Sequence, residues 1–135
     1  MLADNVAPFL DAFTRWAIAQ PDILALALVG SHARNAATPT SDVDLVLITA
    51  DPGRYLDDGA WVQQFGIVDR QQVEDYGLLI SLRVWYREGL EVEYGITDER
   101  WSAMPLDAGT REVMAGSIRV LFERGPLLSR HLPIA

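Results

Sequence analysis

The sequence predicts an α/β (α+β) chain in which a single mixed β-sheet carries helices packed on it. Three observations lead there. Residues 4–20 place Val6, Phe9, Leu10, Phe13, Trp16 and Ala17 at helical spacing with polar residues between them. Residues 22–29 (DILALALV) and 42–49 (DVDLVLIT) are short runs that become apolar on both faces, as in strands with both sheet faces covered. Residues 78–96 alternate around a tight turn and are rich in β-branched and aromatic residues, the pattern of a hairpin. Helical and strand signals interleave, so one sheet with helices against it is the expected architecture.

The elements follow in chain order. Pro21 ends the first helix. After the strand at 22–29, Gly30-Ser31 opens SHARNAATPTS, a small-residue segment read as one helical turn and a loop. The strand at 42–49 comes next. Asp51-Pro52-Gly53 is a turn signal, and Tyr55, Leu56, Trp61, Val62 and Phe65 predict a second helix within 51–65. IVDRQQVE (67–74), LLISLRVWY (78–86) and LEVEYGI (90–96) predict three strands, with the turn REG (87–89) between the last two. A short helix is expected over 107–115 and a strand over IRVLFE (118–123), followed by Gly125-Pro126. There is no internal repeat, low-complexity segment or interdomain linker, so residues 1–135 are expected to form one domain.

Composition narrows the chemistry. All eleven basic residues are arginines. A Walker A loop, Schiff-base chemistry and a covalent nucleotidyl-lysine all need a lysine and are excluded. The absence of cysteine removes disulfides, thiolate metal sites and a cysteine nucleophile. Two histidines without cysteine do not make a usual closed zinc site. The formal net charge of −8 disfavours a broad nucleic-acid platform, because phosphate is held by basic residues. No apolar run approaches the ~20 residues of a membrane-spanning helix, and Asp4, Pro8 and Asp11 with no basic cluster do not read as a signal peptide. A cytoplasmic protein is the expectation.

Candidate chemistry sits between residues 30 and 44 and near 93. Gly30-Ser31 directly follows a strand. Glycine allows a sharp turn and close approach of a ligand, and a serine opening a helical turn offers its hydroxyl and nearby N–H groups to an anion. Arg34, one turn on, adds a fork for phosphate oxygens. Asp42 and Asp44 stand two apart on a strand and so face the same way, roughly 6.6 Å apart along the chain. Their mutual repulsion becomes attraction once divalent cations lie between them. Glu91 and Glu93 repeat the pattern on another strand, and either can complete a three-carboxylate set. Oxygen-only ligands favour magnesium or manganese, and two such ions can activate an attacking oxygen and stabilise leaving pyrophosphate.

At these residues the chain resembles a known superfamily. Leu28-Val29-Gly30-Ser31-His32-Ala33-Arg34, then Ser41-Asp42-Val43-Asp44-Leu45, then a strand bearing a third acid, is similar to the signature of DNA polymerase β-type nucleotidyltransferases. The resemblance covers 22–49 and, more loosely, 78–96. It implies that fold, and Mg²⁺- or Mn²⁺-dependent transfer of a nucleoside monophosphate from an NTP, ATP by abundance, to an acceptor hydroxyl. Carried over by position, Gly30, Ser31, Arg34 and Ser41 would meet the nucleotide, and Asp42 and Asp44 would hold metal and carry catalysis. Glu93 would be the third acid, with Glu91 as the alternative; Val92-Glu93-Tyr94 is closer to the family's third strand. Asn35 stands where the family usually has glycine, and asparagine tolerates left-handed backbone. No sequence is present for the large helical domain of antibiotic-modifying relatives. The chain therefore looks most similar to minimal (MNT-like) nucleotidyltransferases, often encoded beside a helical HEPN-type partner in toxin–antitoxin pairs. A homodimer or such a heteromer is expected, with a small molecule or a protein as acceptor. An antitoxin-like partner module that does not catalyse is the second reading. His32 and His131 are read as solvated residues, and Phe9, Phe13, Trp16, Trp61 and Trp85 as core or interface.

Overall fold

The computed structural model describes residues 6–30, 33, 42–102, 118–125 and 127–128. Helix α1 (Val6–Ile18) lays Val6, Phe9, Leu10, Phe13 and Ala17 on one buried stripe. Strands β1 (Ile23–Val29) and β2 (Val43–Thr49) follow, then the short helix α2 (Gly53–Leu56) and a 3₁₀ segment over Gly59–Phe65. Strands β3 (Val68–Asp75), β4 (Leu79–Tyr86) and β5 (Glu91–Thr97) come next, then a 3₁₀ turn at Glu99–Ser102 and strand β6 (Ile118–Glu123). The expected helix over 107–115 lies outside the described residues.

The strands form one six-stranded mixed sheet in the order β3-β4-β5-β2-β1-β6. All neighbours are antiparallel except β2 and β5, which run parallel in the middle. The sheet expected from the alternation of patterns is the one found, including the hairpin around residues 87–89.

Both faces of the central strands are covered, which is why β1 and β2 are apolar nearly throughout. Against α1 lie Leu26, Leu28, Val43, Leu45, Leu47, Val84 and Tyr94, together with the aromatic cluster of Phe9, Phe13, Trp16, Trp61 and Phe65. Truncating Phe13, which is fully buried, would cost about 3–5 kcal/mol on the scale of other buried phenylalanines. The other face carries a smaller cluster of Ala25, Ala27, Val46, Ile48, Trp101 and Leu128.

One expectation needs correction, and a second, the placing of Trp85 in the core or an interface, is narrowed. The helix expected over 51–65 is broken at Asp58, whose extended backbone (φ −132°) separates α2 from the 3₁₀ segment. Its side chain accepts the Ala60 N–H at 3.0 Å, an aspartate capping in preference to continuing a helix. Trp85 does not join the aromatic core. Residues alternate along β4, so Leu82, Val84 and Tyr86 face α1 while Arg83 and Trp85 face the other way. There Arg70 stacks over the Trp85 ring, 4.6 Å from its centroid.

The far end of the sheet is tied by Asp22. Its carboxylate accepts from Tyr55 Oη (2.7 Å), Thr49 Oγ1 (2.8 Å) and Arg54 Nη1 (2.5 Å), joining the start of β1 to the end of β2 and to α2. Burial pushes its pKa up, but the bonds from Tyr55 and Thr49 and the charge of Arg54 outweigh it and hold the carboxyl below its usual range.

Candidate metal and nucleotide site

The parallel pairing in the centre of the sheet places the candidate acids. Asp44 on β2 is the direct register partner of Glu93 on β5 and, on its other side, of Val29 on β1. Glu93 is in turn opposite Arg83, and Arg83 opposite Gln72. One row therefore crosses five strands as Val29, Asp44, Glu93, Arg83 and Gln72. Asp42 lies just before β2, two residues from Asp44 and on the same side.

The carboxylates of Asp42, Asp44 and Glu93 come together, with one oxygen from each within 4.8 Å of the others, and all three residues are half-buried. Asp44 pays electrostatically for this company. Burial, hydrogen bonding and charge repulsion from Asp42, and the charge of Glu93 raise its pKa from 3.8 to about 8. Asp44 therefore holds its proton to higher pH than an ordinary aspartate does. A half-buried set of three carboxylates this close together fits a magnesium- or manganese-type ion, which takes carboxylate oxygens and keeps several waters.

Gly30 lies directly against Asp44. Its φ of +75° is left-handed, and a Cβ there would collide with Asp44 Oδ2 and come within 3.2 Å of Asp44 Cγ. The expected reason for this glycine was a turn and close ligand approach. The structure adds a second one, since the Asp44 carboxylate itself occupies the space a side chain would fill. Ser31, Arg34 and Ser41 lie outside the described residues.

Glu93 and Glu91 share a face of β5 but differ in surroundings. Glu93 Oε1 accepts from Ser81 Oγ at 3.0 Å, and its Oε2 accepts from Arg83 Nη2 at 2.8 Å. Glu91 lies opposite Trp85 and takes Arg83 Nη1 at 3.2 Å. Of the two, Glu93 is the one grouped with Asp42 and Asp44. Burial lowers the Arg83 pKa, but Glu93, Glu74, Glu91 and Asp42 together raise it above its ordinary value.

Ser81 and Arg83 were not among the residues singled out from sequence, although a signal was there. The turn pairs Tyr86 with Leu90, so counting back along both strands sets Trp85 against Glu91 and Arg83 against Glu93.

The model of the nucleotidyltransferase domain family matches residues 15–100. The chain belongs to the nucleotidyltransferase domain family. The match runs from the last turn of α1 through β5 and includes all of β1, β2, β4 and β5. Among solved structures, the nucleotidyltransferase fold recurs in an aminoglycoside 6-adenyltransferase from Bacillus subtilis, with a TM-score of 0.59 at 13% identity. That likeness covers 87% of this chain and 40% of the adenyltransferase, so this chain spans less than half of that protein's length. No curated protein matches the chain. Nucleotidyl transfer is the activity for which that family is named. No helix among the described residues is long and apolar enough to cross a membrane.

Proposed function

We propose that the chain is a metal-dependent nucleotidyltransferase that moves a nucleoside monophosphate from an NTP, with ATP first in order, to an acceptor hydroxyl. Asp42, Asp44 and Glu93 would hold one or two Mg²⁺ or Mn²⁺ ions. Bound there, such ions supply charge neutralisation at the α-phosphate and the leaving pyrophosphate. The observation that carries this reading is the convergence of those carboxylates within 4.8 Å beside the Gly30 turn.

The chain's own residues would bind and orient. Gly30 leaves room for Asp44, and the Gly30-Ser31 turn with Arg34 and Ser41 would receive the triphosphate. Ser81 holds Glu93 against rotation, and Arg83 pairs with the same carboxylate in the metal-free fold. No protein nucleophile is required, because in-line attack by a positioned hydroxyl draws on orientation and charge stabilisation. Glu93 is proposed as the third acid in preference to Glu91, because Glu93 is the register partner of Asp44.

The acceptor is proposed as a small polyhydroxylated molecule or a protein hydroxyl. The adenyltransferase of similar fold acts, by its name, on aminoglycosides. The acidic balance of the chain, at −8, argues against long RNA. Residues 1–135 are proposed to act as one domain, in the cytoplasm.

A second reading keeps the fold as a partner module, antitoxin-like, in a homodimer or with a HEPN-type helical protein. The observation favouring it is β3, which ends the sheet and is exposed along most of its length, with Val73 62% and Tyr76 58% accessible nearby. The two readings separate by calorimetric titration with each of the four NTPs, with and without Mg²⁺. Metal-dependent binding of an NTP is expected from the enzyme reading. Absence of binding under every condition favours the partner module.

A further inference from the structure

Arg83 stands where three acidic neighbours meet. Its Nη2 donates to Glu93 at 2.8 Å and its Nη1 to Glu91 at 3.2 Å, while Nε lies 3.5 Å from Glu74 Oε1. The last contact is an ion pair without hydrogen-bond geometry, and Nε, shielded from solvent, has no hydrogen-bond partner. The Arg83 side chain is 27% exposed and those of its three acids 20–29%, so water screens this group only in part. An arginine with a buried N–H left over is not in its best possible hydrogen-bonding position. Its position instead sets its charge among three carboxylates, one of them in the acidic cluster.

We propose that Arg83 is a resident counter-ion for the acidic cluster. While no cation is bound it neutralises and orients Glu93; when a divalent cation arrives it releases Glu93 and rests its charge on Glu91 and Glu74. Those two acids lie outside the three-carboxylate group and already contact the guanidinium, so its charge stays paired when Glu93 leaves. This rests on the reading of Asp42, Asp44 and Glu93 as a cation site, and it makes Arg83 a positioning residue that does not touch substrate.

The sign of the effect separates this role from simple scaffolding. A guanidinium and a divalent cation compete for the same carboxylate, so removing the guanidinium should tighten cation binding while weakening the metal-free fold. A scaffold that merely aimed Glu93 would, on removal, weaken cation binding instead.

The test is Mn²⁺ titration by calorimetry at low ionic strength on the full chain, wild type, Arg83→Met and Arg83→Lys, with thermal melts in chelator and in saturating Mn²⁺. Arg83→Met should bind Mn²⁺ roughly tenfold more tightly and melt lower in chelator, with the gap to wild type closing in Mn²⁺. Arg83→Lys, which keeps the charge, should stay near wild type. If Arg83→Met does not fold, Arg83→Gln carries the same expectation. Mn²⁺ affinity unchanged or weakened in the neutral variant overturns the proposal. If wild-type protein and Asp44→Asn both fail to bind Mn²⁺, it is the cation-site reading that falls. Metal-free melts of Arg83→Met, Glu93→Gln and the double variant then decide for Arg83: coupling between the two sites supports the counter-ion, and additivity overturns it.

Discussion

Asp44 and Glu93 face each other as register partners across the only parallel pair of the described sheet, β2 and β5. Parallel neighbours cannot be joined by a tight turn. The chain between them makes α2, a 3₁₀ segment and the β3–β4 arm before returning. Two acids 49 positions apart in the sequence are thereby fixed on rigid strands whose apolar residues are locked in the core.

That relationship distinguishes the two glutamates. Glu93→Gln should reduce metal-dependent turnover by at least about 100-fold, on the scale of lost charge-stabilising groups. Glu91→Gln should cost less than tenfold by the same scale, since Glu91 lies outside the group formed by Asp42, Asp44 and Glu93. Label transfer from α-labelled ATP reads both. The reverse ranking would move the third acid to Glu91.

Gly30→Ala tests the close approach of Asp44. A left-handed alanine costs about 1–2 kcal/mol, and its Cβ would also displace the Asp44 carboxylate. The variant is expected to melt lower and to lose divalent-cation binding. Unchanged cation affinity would show that Asp44 can sit elsewhere and still work.

The pH dependence follows from Asp44. Its pKa is 3.8 in the unfolded chain and about 8 in the metal-free fold. The fold therefore binds more protons than the unfolded chain between those values, and its stability falls as pH rises through that window, levelling above about 8. Chelator-treated wild type should show this slope in denaturant melts, and Asp44→Asn should flatten it. In the same window cation uptake displaces the Asp44 proton, so affinity should climb with pH. A flat metal-free profile would contradict the burial and repulsion assigned to Asp44.

Asp22 serves as a control far from the acids. Asn at this position loses charged hydrogen bonds to Tyr55, Thr49 and Arg54. The expected cost is roughly 1–3 kcal/mol, with Mn²⁺ affinity unchanged. Because the folded pKa is lowered, the stability Asp22 contributes is present above the unfolded value of 3.8 and is lost as pH falls through the folded one. Loss of Mn²⁺ binding in Asp22→Asn would mean the two ends of the sheet are coupled.

Much of this arrangement is legible in the sequence because it rests on period and spacing. Apolar runs at 22–29 and 42–49 mark covered strands, and Asp42 and Asp44 two apart mark one face. The hairpin turn fixes Arg83 against Glu93 by counting alone. What is harder to read depends on tertiary context. Asp57, Asp58 and Gly59 interrupt a helical pattern that Tyr55, Trp61 and Phe65 otherwise sustain, and only the Asp58 cap shows which tendency wins. Trp85 looks like core by residue type, yet strand alternation sends it to the polar side beside Arg70. That Gly30 makes room for Asp44 emerges only once β1 and β2 are paired.

The most direct measurement is Mn²⁺ binding followed by electron paramagnetic resonance in the presence of ATP, on wild type and Asp44→Asn. Wild type should take up Mn²⁺ with ATP, and Asp44→Asn should bind it at least about tenfold more weakly, the minimum expected when a ligating charge is removed. Equal binding by the two proteins would contradict the assignment of Asp42, Asp44 and Glu93 as the cation site.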